Sequence, residues 1–158
     1  MRLEEKVILA LIKKKETVSV AESCTGGLIA ERLTSVPGAS QVFGFGAVVY
    51  SGEAKRKLLK IDPALIKTYG EVSEEVTSAM AKAIQKISKS DYALAVTGIA
   101  GPKGGTALRP VGTVCFSLLS PRRQLIKKLL LRGRRNEIRD QASRVILNAL
   151  LDDLKTSK

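Results

Sequence analysis

At 158 residues, with 44 % apolar side chains but only three Tyr, three Phe and no Trp, the chain has the size and composition of one aliphatic-cored domain rather than a disordered tail. A formal net charge of +12 favours anionic partners such as phosphates, nucleic acid or an acidic membrane surface. The lack of any histidine excludes Ser-His-Asp and Cys-His catalysis, and two cysteines provide neither a disulfide scaffold nor a four-thiolate zinc site, so no metal is expected.

Leu3, Val7, Ile8, Leu11 and Ile12 recur at helical spacing, which predicts a surface helix over 3–15. The same segment lacks a small-residue cleavage site and does not read as a signal peptide. No apolar run approaches the roughly 18 residues that span a bilayer, so a cytoplasmic protein without membrane attachment is expected. A short strand over 18–21 stops at the polar, glycine-bearing stretch 22–27, and helical periodicity resumes at Leu28 and continues to Pro37-Gly38. The β-formers of 42–50 predict a second strand. Ser51 is a good N-cap for a short helix containing Lys55, and Pro63 opens another. Ser73-Glu74-Glu75 starts a longer helix to about 88.

An apolar strand over 92–97 runs into a loop, 98–106, too glycine-rich for helix or strand. Paired strands over 111–119 and 124–131 flank a Ser120-Pro121-Arg122-Arg123 turn, and a helix over 136–154 closes the chain. This order predicts an α/β fold, a three-layer α/β/α sandwich with a mixed sheet. The basic residues cluster in 121–139 without interleaved aromatics, as on a solvated basic surface rather than a base-stacking nucleic-acid face.

Ligands of open α/β sheets bind where loops leave the carboxyl ends of strands, and both 22–27 and 97–106 are glycine-rich and hydroxyl-bearing. Gly26 and Gly27 would let amides at a helix N-terminus approach a phosphate or an oxyanion. Neither loop matches a dinucleotide or phosphate-loop pattern. A serine needs a base, and without imidazole a desolvated lysine is the substitute, with Ser23 and Lys55 as candidates. Spacing alone does not bring them together. Taken singly, Lys55 among Arg56, Lys57 and Lys60 reads as helix surface, Tyr50 as a half-buried strand residue and Cys24 as a small core residue.

Three ordered motifs change that balance. Ala21-Glu22-Ser23-Cys24-Thr25-Gly26-Gly27, Val49-Tyr50-Ser51-Gly52-Glu53-Ala54-Lys55, and Thr97-Gly98-Ile99-Ala100-Gly101-Pro102 with Pro110-Val111-Gly112-Thr113-Val114 closely resemble the C-terminal domain of the competence-damage protein CinA. The resemblance covers nearly the whole chain and implies a single CinA C-terminal-like domain over 1–158, read as a stand-alone version without a molybdopterin-biosynthesis-like domain before it. That family includes nicotinamide-nucleotide amidohydrolase, which converts nicotinamide mononucleotide to nicotinate mononucleotide and ammonia. The resemblance therefore implies an amide hydrolase of pyridine-nucleotide salvage, with no cofactor, a small-molecule nucleotide substrate, and a dimer or larger assembly.

It maps the catalytic serine to Ser23, the lysine to Lys55 and the tyrosine to Tyr50, which orients the dyad or relays a proton. Substrate contacts and oxyanion donors are expected from Thr25, Gly26 and Gly27 and from Thr97, Gly98, Gly101 and Gly105. Arg135, in the Gly133-Arg134-Arg135 stretch, is the expected phosphate ligand. Gly52 stands where the family has Asn, Lys103 where it has Asp, and Ala107-Leu108 replaces a more acidic pair; these departures bear on substrate choice. The competing expectations are a nucleotide binder without turnover and a nucleic-acid-associated protein.

Overall fold

The computed structural model describes residues 1–156. Its chain order is α1 (Leu3–Lys14), β1 (Val18–Glu22), α2 (Leu28–Thr34), β2 (Phe43–Val48), α3 (Gly52–Leu59), α4 (Pro63–Tyr69), α5 (Glu74–Ser88), β3 (Tyr92–Gly98), β4 (Thr113–Leu119), β5 (Gln124–Leu130) and α6 (Arg135–Thr156). A short 3-10 turn at Ala39–Gln41, absent from the sequence reading, leads into β2. Ser51 caps α3 and Ser73 caps α5 as expected, each accepting a backbone amide, while Asp62, not singled out in the sequence, does the same for α4 ahead of Pro63.

Five strands form one mixed sheet in the order β2-β1-β3-β4-β5. β1 pairs in parallel with both β2 and β3, whereas β3-β4 and β4-β5 are antiparallel. The aliphatic side chains divide into two cores, which makes three layers. Val7, Leu11, Ile29, Leu33, Ile146 and Leu150 of α1, α2 and α6 pack on one face, and Val76, Met80, Ile84 and Leu59 of α5 and α3 on the other.

This topology fixes where a ligand can sit. The chain leaves β1 through α2 on one face to reach β2, then returns through α3, α4 and α5 on the other face to β3. The carboxyl ends of β1, β2 and β3 lie side by side, and the helices that follow β1 and β2 diverge to opposite faces there, opening a crevice of the kind that accepts ligands in open α/β sheets. No helix among the described residues is long and apolar enough to cross a membrane.

The basic segment 121–139 is only partly a solvated surface. Arg122 and Arg123 both bond the buried carboxylate of Asp153, at 2.9 Å each, tying the β4-β5 turn to α6. Lys127, Lys128, Arg132 and Arg134 are exposed, whereas Arg135 and Arg139 reach the crevice loops.

Candidate active site

Ser23 follows the last residue of β1, and its amide donates to Val96 O of β3 at 3.1 Å, which holds the residue at the lip of the sheet. Lys55 lies one turn into α3 and shares its inward stripe with Leu59, whereas Arg56 and Lys57 face solvent. The helix therefore drives a lysine into the interior, where it is 1 % exposed and its Nζ donates to Ser23 Oγ at 3.1 Å and to Val49 O at 3.1 Å. Val49 is itself tied back to β1 by its amide, which donates to Glu22 O at 2.8 Å. Burial pushes the Lys55 pKa below its ordinary 10.5, against a weaker opposing pull from Glu71.

Ser23 opens into a cavity of about 410 Å³, within the range of small-molecule sites. Gly98, Ile99, Ala100 and Gly101 after β3 form one wall, and Lys103, Thr106 and Arg109 belong to the same loop. Tyr50, Glu71, Val72 and Arg135 complete the lining. The charges are therefore mixed, with Lys103, Arg109 and Arg135 facing the single carboxylate of Glu71.

Arg135 donates to Gly101 O at 2.6 Å and to Tyr50 Oη at 2.7 Å, joining the loop after β3 to the end of the β2 connection. Tyr50 is 56 % exposed, and among the described residues no hydrogen bond links it to Ser23 or Lys55, so it stands on the rim beside Arg135 rather than within the dyad. Arg109 donates to the carbonyl of Tyr69, anchoring the same loop across to the α4-α5 connection.

Several residues expected to contact a ligand have structural partners instead. Thr25 is fully buried and donates its hydroxyl to Glu22 Oε1 at 2.6 Å. Thr97 is fully buried beside Thr77, with the two hydroxyls 2.8 Å apart. Gly27 caps α2 with φ of +101°, a backbone region that favours glycine, and neither it nor Gly26 lines the cavity. Gly105 packs against Val111 and is also outside the lining, while Gly98 and Gly101 are in it.

The expected anion seat at the α2 N-terminus is already taken. The buried Glu22 carboxylate accepts the amides of Ile29 at 2.9 Å and Ala30 at 3.0 Å, together with the Thr25 hydroxyl. A negative charge fixed on a helix N-terminus satisfies those donors internally. Cys24 lines the cavity next to Ser23, but burial pushes its thiol up to about 12, so it stays protonated near neutrality and is a poor nucleophile.

Sequence reasoning missed Glu71, Arg109, Glu22 and Arg139. Gly52 carried a signal for the first of these. Its amide donates to Glu71 Oε1 at 2.9 Å, and a Cβ on residue 52 would lie 2.5 Å from that oxygen, so the glycine leaves room for the carboxylate.

The fold and site define an α/β sandwich in which a serine and a buried lysine meet beside a pocket at the switch point of a mixed sheet. The chain belongs to the CinA family: the model of the CinA C-terminal domain matches residues 1–154. It is 45 % identical to a CinA-like protein of Chlorobaculum tepidum over 97 % of its length and 46 % identical to one of Pseudothermotoga lettingae over 89 %. The chain covers only 37 % and 35 % of those two relatives, about a third of each. Crystal structures of competence/damage-inducible proteins from Agrobacterium tumefaciens (TM-score 0.93, 37 % identity, 98 % of this chain and 94 % of that one) and Klebsiella pneumoniae (0.94, 32 %, 99 % and 97 %) have the same fold.

Proposed function

We propose that the chain hydrolyses the carboxamide of a pyridine nucleotide, converting nicotinamide mononucleotide to nicotinate mononucleotide and ammonia, with Ser23 as nucleophile and Lys55 as base. The observation that carries this reading is the 3.1 Å contact between Ser23 Oγ and a lysine amine almost wholly removed from water. An exposed lysine is protonated at neutral pH and cannot take a proton. Desolvation disfavours the ammonium and lowers the Lys55 pKa, which favours the neutral amine as the base.

Neutral Lys55 has two N–H donors and one lone pair. One N–H holds Val49 O. In the neutral form the 3.1 Å Nζ–Oγ hydrogen bond reverses, and the lone pair accepts the Ser23 hydroxyl proton as Oγ forms a bond to the carboxamide carbon. The carbonyl oxygen becomes an oxyanion. Its collapse breaks the C–N bond while the Lys55 ammonium returns the proton to the departing nitrogen, which leaves as ammonia. Water then attacks the acyl-serine with Lys55 again accepting a proton, and the acid product and Ser23 hydroxyl are regenerated. The amide of Cys24, next after the nucleophile in a residue that lines the cavity, is the backbone candidate for stabilising the oxyanion.

The three cations on the lining support a phosphorylated substrate, and Arg135, with both Tyr50 and Gly101 fixing its guanidinium, is the best-oriented of them. Incubation with nicotinamide mononucleotide, following ammonia and the acid product together, tests the reading. Release that disappears in Ser23→Ala and Lys55→Ala is expected. Binding of the nucleotide without ammonia release would instead make the chain a non-catalytic binder.

A further inference from the structure

Arg139 lies at the start of the second turn of α6, half-buried against the loop that carries Ser23. Its Nε donates to Cys24 O at 3.2 Å and its Nη2 to Thr25 O at 2.8 Å, while Nη1 reaches Asn136 Oδ1 at 3.1 Å. All three acceptors are neutral oxygens. Other structural arginines of this fold are paired with carboxylates, Arg32 with Asp140 and Arg122 with Asp153, but no carboxylate bonds Arg139 among the described residues. A full positive charge is therefore applied to two successive peptide carbonyls immediately after Ser23.

Those peptides need an external clamp. The amides of Ser23, Gly26, Leu28, Ile29 and Ala30 are all engaged within the fold. The Cys24 amide has no oxygen acceptor among the described residues, and Cys24 is the loop residue that shares the cavity lining with Ser23. A trans peptide points its N–H opposite to its C=O, so the clamped Thr25 carbonyl fixes the Gly26 amide, which donates to Ser23 O at 3.0 Å and thereby holds the peptide plane that carries the Cys24 N–H. A cation on the carbonyl oxygen also increases the dipole of the peptide unit it touches.

We propose that Arg139 is a positioning residue for hydrolysis: by clamping the Cys24 and Thr25 carbonyls it holds the backbone after Ser23 in the orientation that stabilises the tetrahedral oxyanion. This rests on the serine–lysine reading above. Arg139 contributes to the transition state and not to substrate affinity, because it does not line the cavity.

The test compares the parent with Arg139→Met and Arg139→Lys, using nicotinamide mononucleotide turnover and binding of 3-pyridylboronic acid, which forms a tetrahedral adduct on a reactive serine. Arg139→Met is expected to lower kcat by about 100-fold with KM nearly unchanged, the loss typical of an oxyanion donor, and to weaken boronate binding in step. Arg139→Lys, which keeps the charge and one donor, should recover about tenfold of that loss. Unchanged kcat and boronate affinity would overturn the proposal, as would a rise in KM alone or a loss that merely tracks the unfolded fraction in a melt. If the parent released no ammonia, the hydrolytic reading would fall, and the boronate series would still decide whether Arg139 shapes the site around Ser23.

Discussion

The two loops at the carboxyl ends of β1 and β3 look alike in composition and differ in physical state. The first, 22–27, is locked from within: Glu22 satisfies the α2 N-terminus, Thr25 is buried against it, and Arg139 holds two of its carbonyls. The second, 98–106, is exposed from Pro102 to Thr106 and is held mainly at its ends, by Arg135 on Gly101 and by the Thr106–Arg109 turn. The difference teaches a division of labour. Charged side chains hold the loop that carries Ser23, whereas the loop that carries Lys103 is left open to solvent; on the proposed mechanism this separates precise placement of the nucleophile from binding of a phosphate.

The sharpest way to break this comparison is to remove the dyad from the locked loop. Ser23→Ala and Lys55→Met are each expected to lower kcat by about 10⁴-fold or more in the ammonia assay, since neither partner of a coupled nucleophile and base works alone. Lys55→Met should at the same time raise the melting temperature near neutral pH. The folded protein disfavours the Lys55 ammonium, so it binds fewer protons than the unfolded chain between its lowered pKa and 10.5. Stability from this group is thus lost as pH falls through the lowered pKa and recovers toward 10.5; a methionine should flatten that dependence in melts taken across pH.

Next in size is Glu22→Gln. It leaves the α2 amides and the Thr25 hydroxyl with a weaker acceptor, and a loss of about 1–3 kcal/mol of unfolding free energy is expected by denaturant titration. The open loop should respond differently. Arg135→Ala is expected to raise KM for the phosphorylated substrate about tenfold while kcat falls less, with little change in melting temperature.

The smallest effect concerns Glu71, whose charge pulls the Lys55 pKa upward against burial. Glu71→Gln removes that pull, so the acid limb of the kcat/KM profile should move to lower pH. An acid limb that stayed in place would separate Glu71 from the dyad.

How much of this was legible in the sequence depends on what each residue contacts. The strands, helix caps and layer order follow from local periodicity and from Ser51, Pro63 and Ser73, so the fold was readable, with β2 shorter than its run of β-formers because the chain turns at Val49 and Tyr50 toward α3. Lys55 and Lys57 show where local reading ends. They sit two residues apart in one basic helix, and only the packing of α3 against the sheet decides that one is buried on Ser23 while the other pairs with Glu53 in solvent. Motif resemblance supplied that long-range fact for Ser23 and Lys55. It did not reveal that Thr25, Thr97 and Gly27 serve the frame of the site, because a hydroxyl or glycine beside a nucleophile reads the same whether it faces the cavity or the core. Arg139 and Glu71 lie 116 and 48 residues from Ser23 in sequence, beyond any spacing argument.

The most direct test of the central claim is a titration of the Lys55 side chain by NMR of lysine labelled at Cε, run beside the pH profile of kcat/KM. A lysine resonance lost in Lys55→Met and titrating below 10.5, at the same pH as the acid limb of activity, is the predicted result. Titration at or above 10.5, with activity indifferent to the Lys55 charge, would contradict the assignment of a neutral amine as the base for Ser23.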